Sequence, residues 1–129
     1  MVRGFSVALA FLGAIVLSGT NALADSLAET GEKVFKRQCA ACHTVETGKN
    51  RVGPSLAGVI GRAAAATPGF KYSDSMKEAK ITWTDDKLES YVENPKVLVP
   101  KGTMAFVGLK KADERAAVIA YLKKEAGGK

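Results

Sequence analysis

A chain of 129 residues, 47% of them hydrophobic, has apolar surface for one core, and one domain is the expectation at this length. Lysine and arginine number 19 against 13 acids, a formal net charge of +6. The lysines lie singly or in pairs, with few arginines and no interleaved aromatic repeat, which argues against nucleic acid and leaves a docking surface or plain solubility.

The first 24 residues read as a secretory leader. Arg3 supplies the positive charge, residues 5–17 are an apolar run, and the small-residue triplet Ala22-Leu23-Ala24 ahead of Asp25 sets cleavage after Ala24. An uncleaved membrane anchor is the alternative, but the run is shorter than the ~20 apolar residues a spanning helix needs. The expected division is therefore a signal peptide over 1–24 and a folded domain over 25–129, exported in a bacterial cell to the periplasm. In such a compartment two cysteines usually read as a disulfide. Cys39 and Cys42 are only three positions apart, however, and closing so small a loop would stabilise the fold little.

In chain order, Ser26 with Glu29 has the spacing of a capping box, and the helix expected to start there puts Leu27, Val34 and Phe35 on a common side. It runs directly into "CAACH" at 39–43. From 44 to 66 the pattern dissolves at Gly48, Gly53, Pro54, Gly58 and Gly61, a long loop with room for one helical turn. "TPGF" marks a turn, and Ser73 or Asp74 caps a short helix. Thr84, followed by Asp85 and Asp86, caps the next, whose Leu88, Tyr91 and Val92 recur at helical spacing until Asn94-Pro95 stops it. After a second irregular loop, "KVLVPKGTMAFVG", residues 111–126 form the last helix. Asp113 and Glu114 lie in its first turn, Val118, Tyr121 and Leu122 on its inner side, and Gly127-Gly128 at its end. The sum is an all-α domain of about four short helices joined by long loops. Loops longer than ~12 residues in a compact domain signal function or disorder. A large apolar cofactor, supplying the core that the loops wrap, reconciles them with a folded domain.

Cys-x-x-Cys-His is the attachment sequence of c-type haem, with two thioethers to the porphyrin and a histidine on the iron. Cys39 and Cys42, three apart, face one side of a helical turn, and His43 projects from the adjacent position. Zinc would need about four ligands, and the chain has no further Cys or His. A redox dithiol expects a βαβ context that this pattern denies. The sixth iron position is open to methionine, lysine, a terminal amine or an outside ligand. Beyond the leader only Met76 and Met104 are thioethers. Met76 lies in a short amphipathic stretch and reads as core filling. Met104 follows Pro100 and Gly102, where the backbone can fold back over a haem face, and is preferred.

Several unlinked stretches in order, "FKRQCAACHTVE", "VGPSLAGVIGR", "PGFKYSD", "ITWTDDKLESYVENP" and "MAFVGLKKADERAAVIAYLKK", resemble the class I c-type cytochromes, in particular the mitochondrial cytochrome c and bacterial cytochrome c2 group. The resemblance covers nearly all of the chain after the leader and implies the class I cytochrome c fold around one covalently attached haem c. It makes Cys39 and Cys42 the thioether positions, His43 the proximal ligand and Met104 the distal one. Pro54 would offer its carbonyl to the far ring nitrogen of His43, which fixes ring orientation and basicity. Arg62, Tyr72 and Trp83 match positions around the buried propionates, Tyr91 the tyrosine near the methionine sulfur, and Phe106 the aromatic beside the exposed haem edge. Gly31, Phe35, Val118 and Tyr121 match the contact of first and last helices. Departures stand out as well. "PKGTMAF" replaces the commoner Pro-Gly-Thr-Lys-Met, Met76 stands where asparagine is usual, and Gln38 and Val97 replace frequent docking lysines.

An iron saturated by His43 and Met104 has no vacant site for substrate, so the expected function is one-electron carriage, not enzymatic catalysis. The resemblance implies a soluble monomeric shuttle that takes electrons from a quinol-oxidising cytochrome bc complex and gives them to a terminal oxidase or photosynthetic reaction centre. Its docking would be transient, through a rim of Lys36, Lys96, Lys101, Lys110 and Lys111. Two alternatives are a dedicated donor to one periplasmic enzyme, and a haem peroxidase or gas sensor with a labile Met104.

Overall fold

The computed structural model describes residues 19–127. Five helices follow one another: α1 (Gly19–Gln38), α2 (Asp74–Glu78), α3 (Asp85–Glu93), α4 (Pro95–Leu98) and α5 (Ala112–Gly127). Among the described residues there is no β-strand, only an isolated antiparallel bridge between Ala63 and Thr82. The fold is all-α, as the sequence pattern requires. No described helix is long and apolar enough to cross a membrane. Most of the leader assigned to 1–24 lies outside the described residues.

Two elements differ from the sequence reading. α1 does not start at Ser26. It begins by Gly19 and passes through Ser26, whose carbonyl accepts from the Thr30 hydroxyl at 3.1 Å inside the helix. Ser-x-x-Glu caps only when the chain before it is not helical, and here Gly19–Asp25 are. The inner stripe also shifts by one position: Ala28, Gly31, Val34 and Phe35 are buried, whereas Leu27 is 41% exposed. At Gly31 the approach to α5 leaves no room for any side chain. The second difference is α4. Asn94-Pro95 ends α3, and Asn94 caps it through a backbone bond to Ser90 at 3.2 Å. Pro95 then opens a new turn as the first residue of α4, where its missing N–H costs nothing.

α1 and α5 cross at Gly31, where the backbone carbonyl of Ala117 lies against the glycine Cα. Phe35 and Tyr121 pack beside it, ring centres 5.4 Å apart and planes tilted by 49°. Arg37 to Glu114 at 2.8 Å and Lys124 to Asp25 at 3.3 Å brace the two ends of the crossing. α3 lies against α5 and carries Leu88 and Tyr91 into the same core, which Val59, Trp83, Val99, Leu109, Val118, Ile119 and Leu122 complete. The Thr84 side chain caps α3 from Lys87 N–H at 3.3 Å, and Ser73 caps α2 from Met76 N–H at 3.1 Å. The helices thus form a frame, and the two long loops close around what it holds.

Candidate functional site: an apolar cleft between the loops

After Gln38 the backbone coils once more. Cys39 N–H bonds to Phe35 O at 2.8 Å and His43 N–H to Cys39 O at 2.9 Å, so α1 in effect presents one extra turn. That turn aims Cys39, Cys42 and His43 into a cavity of about 260 Å³ walled mainly by apolar side chains. All ten residues singled out from the sequence line it: Cys39, Cys42, His43, Pro54, Arg62, Tyr72, Trp83, Tyr91, Met104 and Phe106. Met76 lines it too, packed against the core.

His43 Nδ1 lies 2.7 Å from the Pro54 carbonyl. A carbonyl only accepts, so Nδ1 carries the proton and the Nε2 lone pair is left for a metal. Burial pushes the imidazole below its usual range, against the bond to Pro54, which acts the other way, so the ring is neutral and ready to ligate. The ring sits flat on Gly53, where any Cβ would fall 2.7 Å from Nδ1 and 2.8 Å from Nε2. Gly53 N–H in turn bonds to Cys42 O at 2.8 Å, and Arg51 reaches Ala40 O at 2.9 Å, fastening the loop to the Cys39–His43 turn.

The Cys39 thiol does not suit redox work. Burial, with Cys42 adding to it, pushes Cys39 up to about 11, whereas an exchanging dithiol needs a depressed value. Nor do the described residues gather three or more His, Cys, Asp or Glu into a metal site, so zinc lacks its ligand set.

At another wall of the cavity, Ala64 N–H bonds to Ile81 O at 2.7 Å and Trp83 N–H to Arg62 O at 2.9 Å, which sets Arg62 beside Trp83. Arg62 donates to Ala57 O at 2.8 Å and to Ser55 O at 3.2 Å, yet its buried Nε has no protein partner. A half-buried guanidinium with an orphaned donor calls for an anion. Tyr72 stands nearby with its hydroxyl accepting Thr67 N–H at 3.2 Å and its ring edge-on to Phe70, centres 4.8 Å apart. On the Met104 side Tyr91 packs on Trp83 at 4.8 Å, and burial pushes its phenol up to about 12, so it is a neutral donor at physiological pH.

An apolar cleft, two thiols and an imidazole on one turn, a thioether in the facing loop and an orphaned cationic donor make a donor set that fits a porphyrin with carboxylate arms. The cytochrome c family model matches residues 28–125. The chain belongs to the cytochrome c family. A cytochrome c2 from Rhodomicrobium vannielii is 44% identical over 123 residues, 95% of this chain and 98% of that protein. Cytochrome c type-1 from Ascaris suum is 47% identical over 97 residues, 75% of this chain and 87% of its own. A protein named cytochrome c-type cyt cy from Rhodobacter capsulatus is 53% identical over 95 residues, 74% of this chain and 47% of its own. This cytochrome is a class I c-type cytochrome, an electron carrier with covalently attached haem c, and Cys39, Cys42 and His43 have the attachment spacing.

The sequence of this cytochrome marks Gly53 only as a loop residue and gives no sign of Arg51 or Asn50. The Asn50 amide donates to Pro68 O at 3.1 Å and its carbonyl accepts from Ser55 N–H at 2.9 Å, tying two loops together. A loop rich in glycine gives no sign of which glycine meets a ring, or which amide bridges to a turn 18 positions away.

Proposed function

We propose that this cytochrome is a periplasmic one-electron shuttle whose haem is held by Cys39 and Cys42 and ligated by His43 and Met104, passing electrons from a quinol-oxidising cytochrome bc complex to a terminal oxidase or photosynthetic reaction centre. The observation that carries the reading is the convergence of an imidazole, two thiols and a thioether on one apolar cavity. When bound, haem supplies ferric/ferrous cycling. The chain's part is to keep both states in one geometry. Pro54 and Gly53 hold the His43 ring at one angle, and the thioether and the water-excluding apolar walls would both favour the less charged ferrous state. Arg62 and Tyr72 offer donors to the carboxylate arms, so that a buried negative charge has a partner.

A peroxidase would need a distal base, and the chain's single histidine already bonds Pro54. The basic excess supports an acidic docking partner. Of the rim lysines, Lys36 pairs with Glu32 at 2.6 Å, Lys96 donates to Gly102 O at 3.2 Å and Lys110 to Glu93 O at 2.8 Å. Lys36 remains 69% exposed, so the pairing leaves its charge facing solvent. Beside the cavity the exposed Val52 offers apolar contact for a partner.

Visible spectra and potentiometry of the intact protein and of Met104→Ala test the ligand. The variant should lose the weak sulfur-to-iron band and fall in potential on the order of 100 mV, a fraction of the ~0.8 V that axial ligation spans. Unchanged spectra would remove Met104 from the reading.

A further inference from the structure

We propose that Arg115 is a positioning residue for Met104: its guanidinium locks the far end of the methionine loop to α3 and α5 and so sets how often Met104 leaves the iron. The inference rests on Met104 being the sixth ligand.

Arg115 sits in the first turn of α5 and is only 7% exposed, a rare state for a guanidinium unless it is paired. Its Nη1 donates to Leu109 O and to Lys110 O, each at 3.0 Å. Its Nε reaches Glu89 at 3.4 Å, and Nη1 stands 3.6 Å from Glu93. Glu89 and Glu93, four apart on α3, therefore hold the guanidinium with Nη1 aimed at the two carbonyls that end the loop.

The same end of the loop is tied to α3 by the backbone. Leu109 N–H bonds to Val92 O at 2.7 Å, and Gly108, at φ +107°, lies so close to Glu93 O that a side chain would overlap it. The near end is held by Gly102 N–H to Val99 O at 3.0 Å. Between these anchors, among the described residues, the stretch 103–107 makes a single backbone bond, from Phe106 N–H to Met104 O at 3.0 Å. Met104 is thus carried on a span that its two ends restrain.

Of those restraints Arg115 is the one that links energy to position. If residues 108–110 lift away, the buried guanidinium loses both carbonyl partners and keeps only its longer contacts to Glu89 and Glu93. Losing hydrogen bonds made by a charged donor costs more than breaking a neutral backbone bond. Glu89 and Glu93 keep the guanidinium in place, so the lock re-forms when the loop returns. An apolar side chain of similar length would remove that penalty and let the loop open more often.

The test uses the full ferric holoprotein and imidazole as the incoming ligand. At saturating imidazole the binding rate is limited by departure of Met104, and so reports loop opening. Arg115→Met should raise that limiting rate at least about tenfold, and Arg115→Lys, which keeps the charge but not the fork, should fall between. Val34→Ala, a core truncation in α1 away from the cavity lining, serves as the control for global stability, measured for each variant by denaturant unfolding. Faster imidazole binding in Arg115→Met than in Val34→Ala at equal loss of stability supports the lock. An unchanged rate, or rates that track stability alone, overturns it. Should Arg115→Met fail to fold, Arg115→Lys and the Glu89→Gln/Glu93→Gln pair carry the same criterion. The sulfur-to-iron band of the unaltered protein separates the two claims. Its absence overturns the ligand and the lock together, and its presence with unchanged kinetics overturns the lock alone.

Discussion

Gly53 shows how much of the site depends on a missing atom. His43 can lie flat against the loop and still reach the Pro54 carbonyl only because position 53 has no Cβ. Gly53→Ala would force the ring or the loop to move by more than packing tolerates, at a cost of about 1–3 kcal/mol. Calorimetry of the holoprotein should show the melting temperature lowered by roughly 5–15 °C. NMR should show shifted His43 ring signals as its bond to Pro54 lengthens. A variant with native melting and native His43 shifts would mean that the loop yields freely and that the glycine is not needed there. At this scale the sequence is read well where chemistry is concentrated and poorly where geometry is. Cys39, Cys42, His43 and Met104 are scarce, reactive side chains whose identity states their use. Asn50, Gly53 and Arg115 are ordinary residues that matter because of what lies across space from them, and no local pattern records that neighbour.

Between elements the sharpest constraint is the contact of α1 with α5. In a solvent-facing helix, replacing glycine by alanine gains about 1 kcal/mol of helix propensity. At Gly31 the added methyl would overlap Ala117 O and lie 2.8 Å from the Tyr121 Cβ, a clash costing about 3 kcal/mol or more. Packing outweighs propensity, and Gly31→Ala should unfold at lower denaturant with little change in the slope of the transition. A neutral or stabilising effect would show that the two helices can separate without loss. The same contact explains why α1 starts ahead of its capping signal at Ser26. Capping signals describe a helix on its own, whereas this one is held from outside by Phe35 on Tyr121 and by Asp25 with Lys124, and helical backbone continues past Ser26. α4 was hidden for a different reason: proline both stops a helix and starts one, and the sequence shows only the residue. By contrast α2, α3 and α5 were legible, since side-chain caps at Ser73 and Thr84 and acidic residues in the first turn of α5 act within a few positions of where they are written.

For the molecule as a whole the net charge is +6 over the full sequence and stays positive without Arg3 of the expected leader. If exposed lysines steer it to an acidic membrane complex, the second-order rate of electron transfer should fall at least about tenfold between ~0.01 and ~0.15 M salt, as the screening length contracts from ~30 to ~8 Å. Stopped-flow measurement with an isolated redox complex would show it, and a rate indifferent to salt would leave apolar contact around the cavity mouth as the whole basis of docking.

The crossing of α1 and α5 also decides what the attachment turn rests on. Arg37 and Glu114 are 77 positions apart, so the crossing closes a long loop whose entropy opposes it. Val118, Ile119 and Leu122 of α5 line the cavity that Cys39, Cys42 and His43 face, so a chain in which the crossing has not formed leaves that turn without its wall.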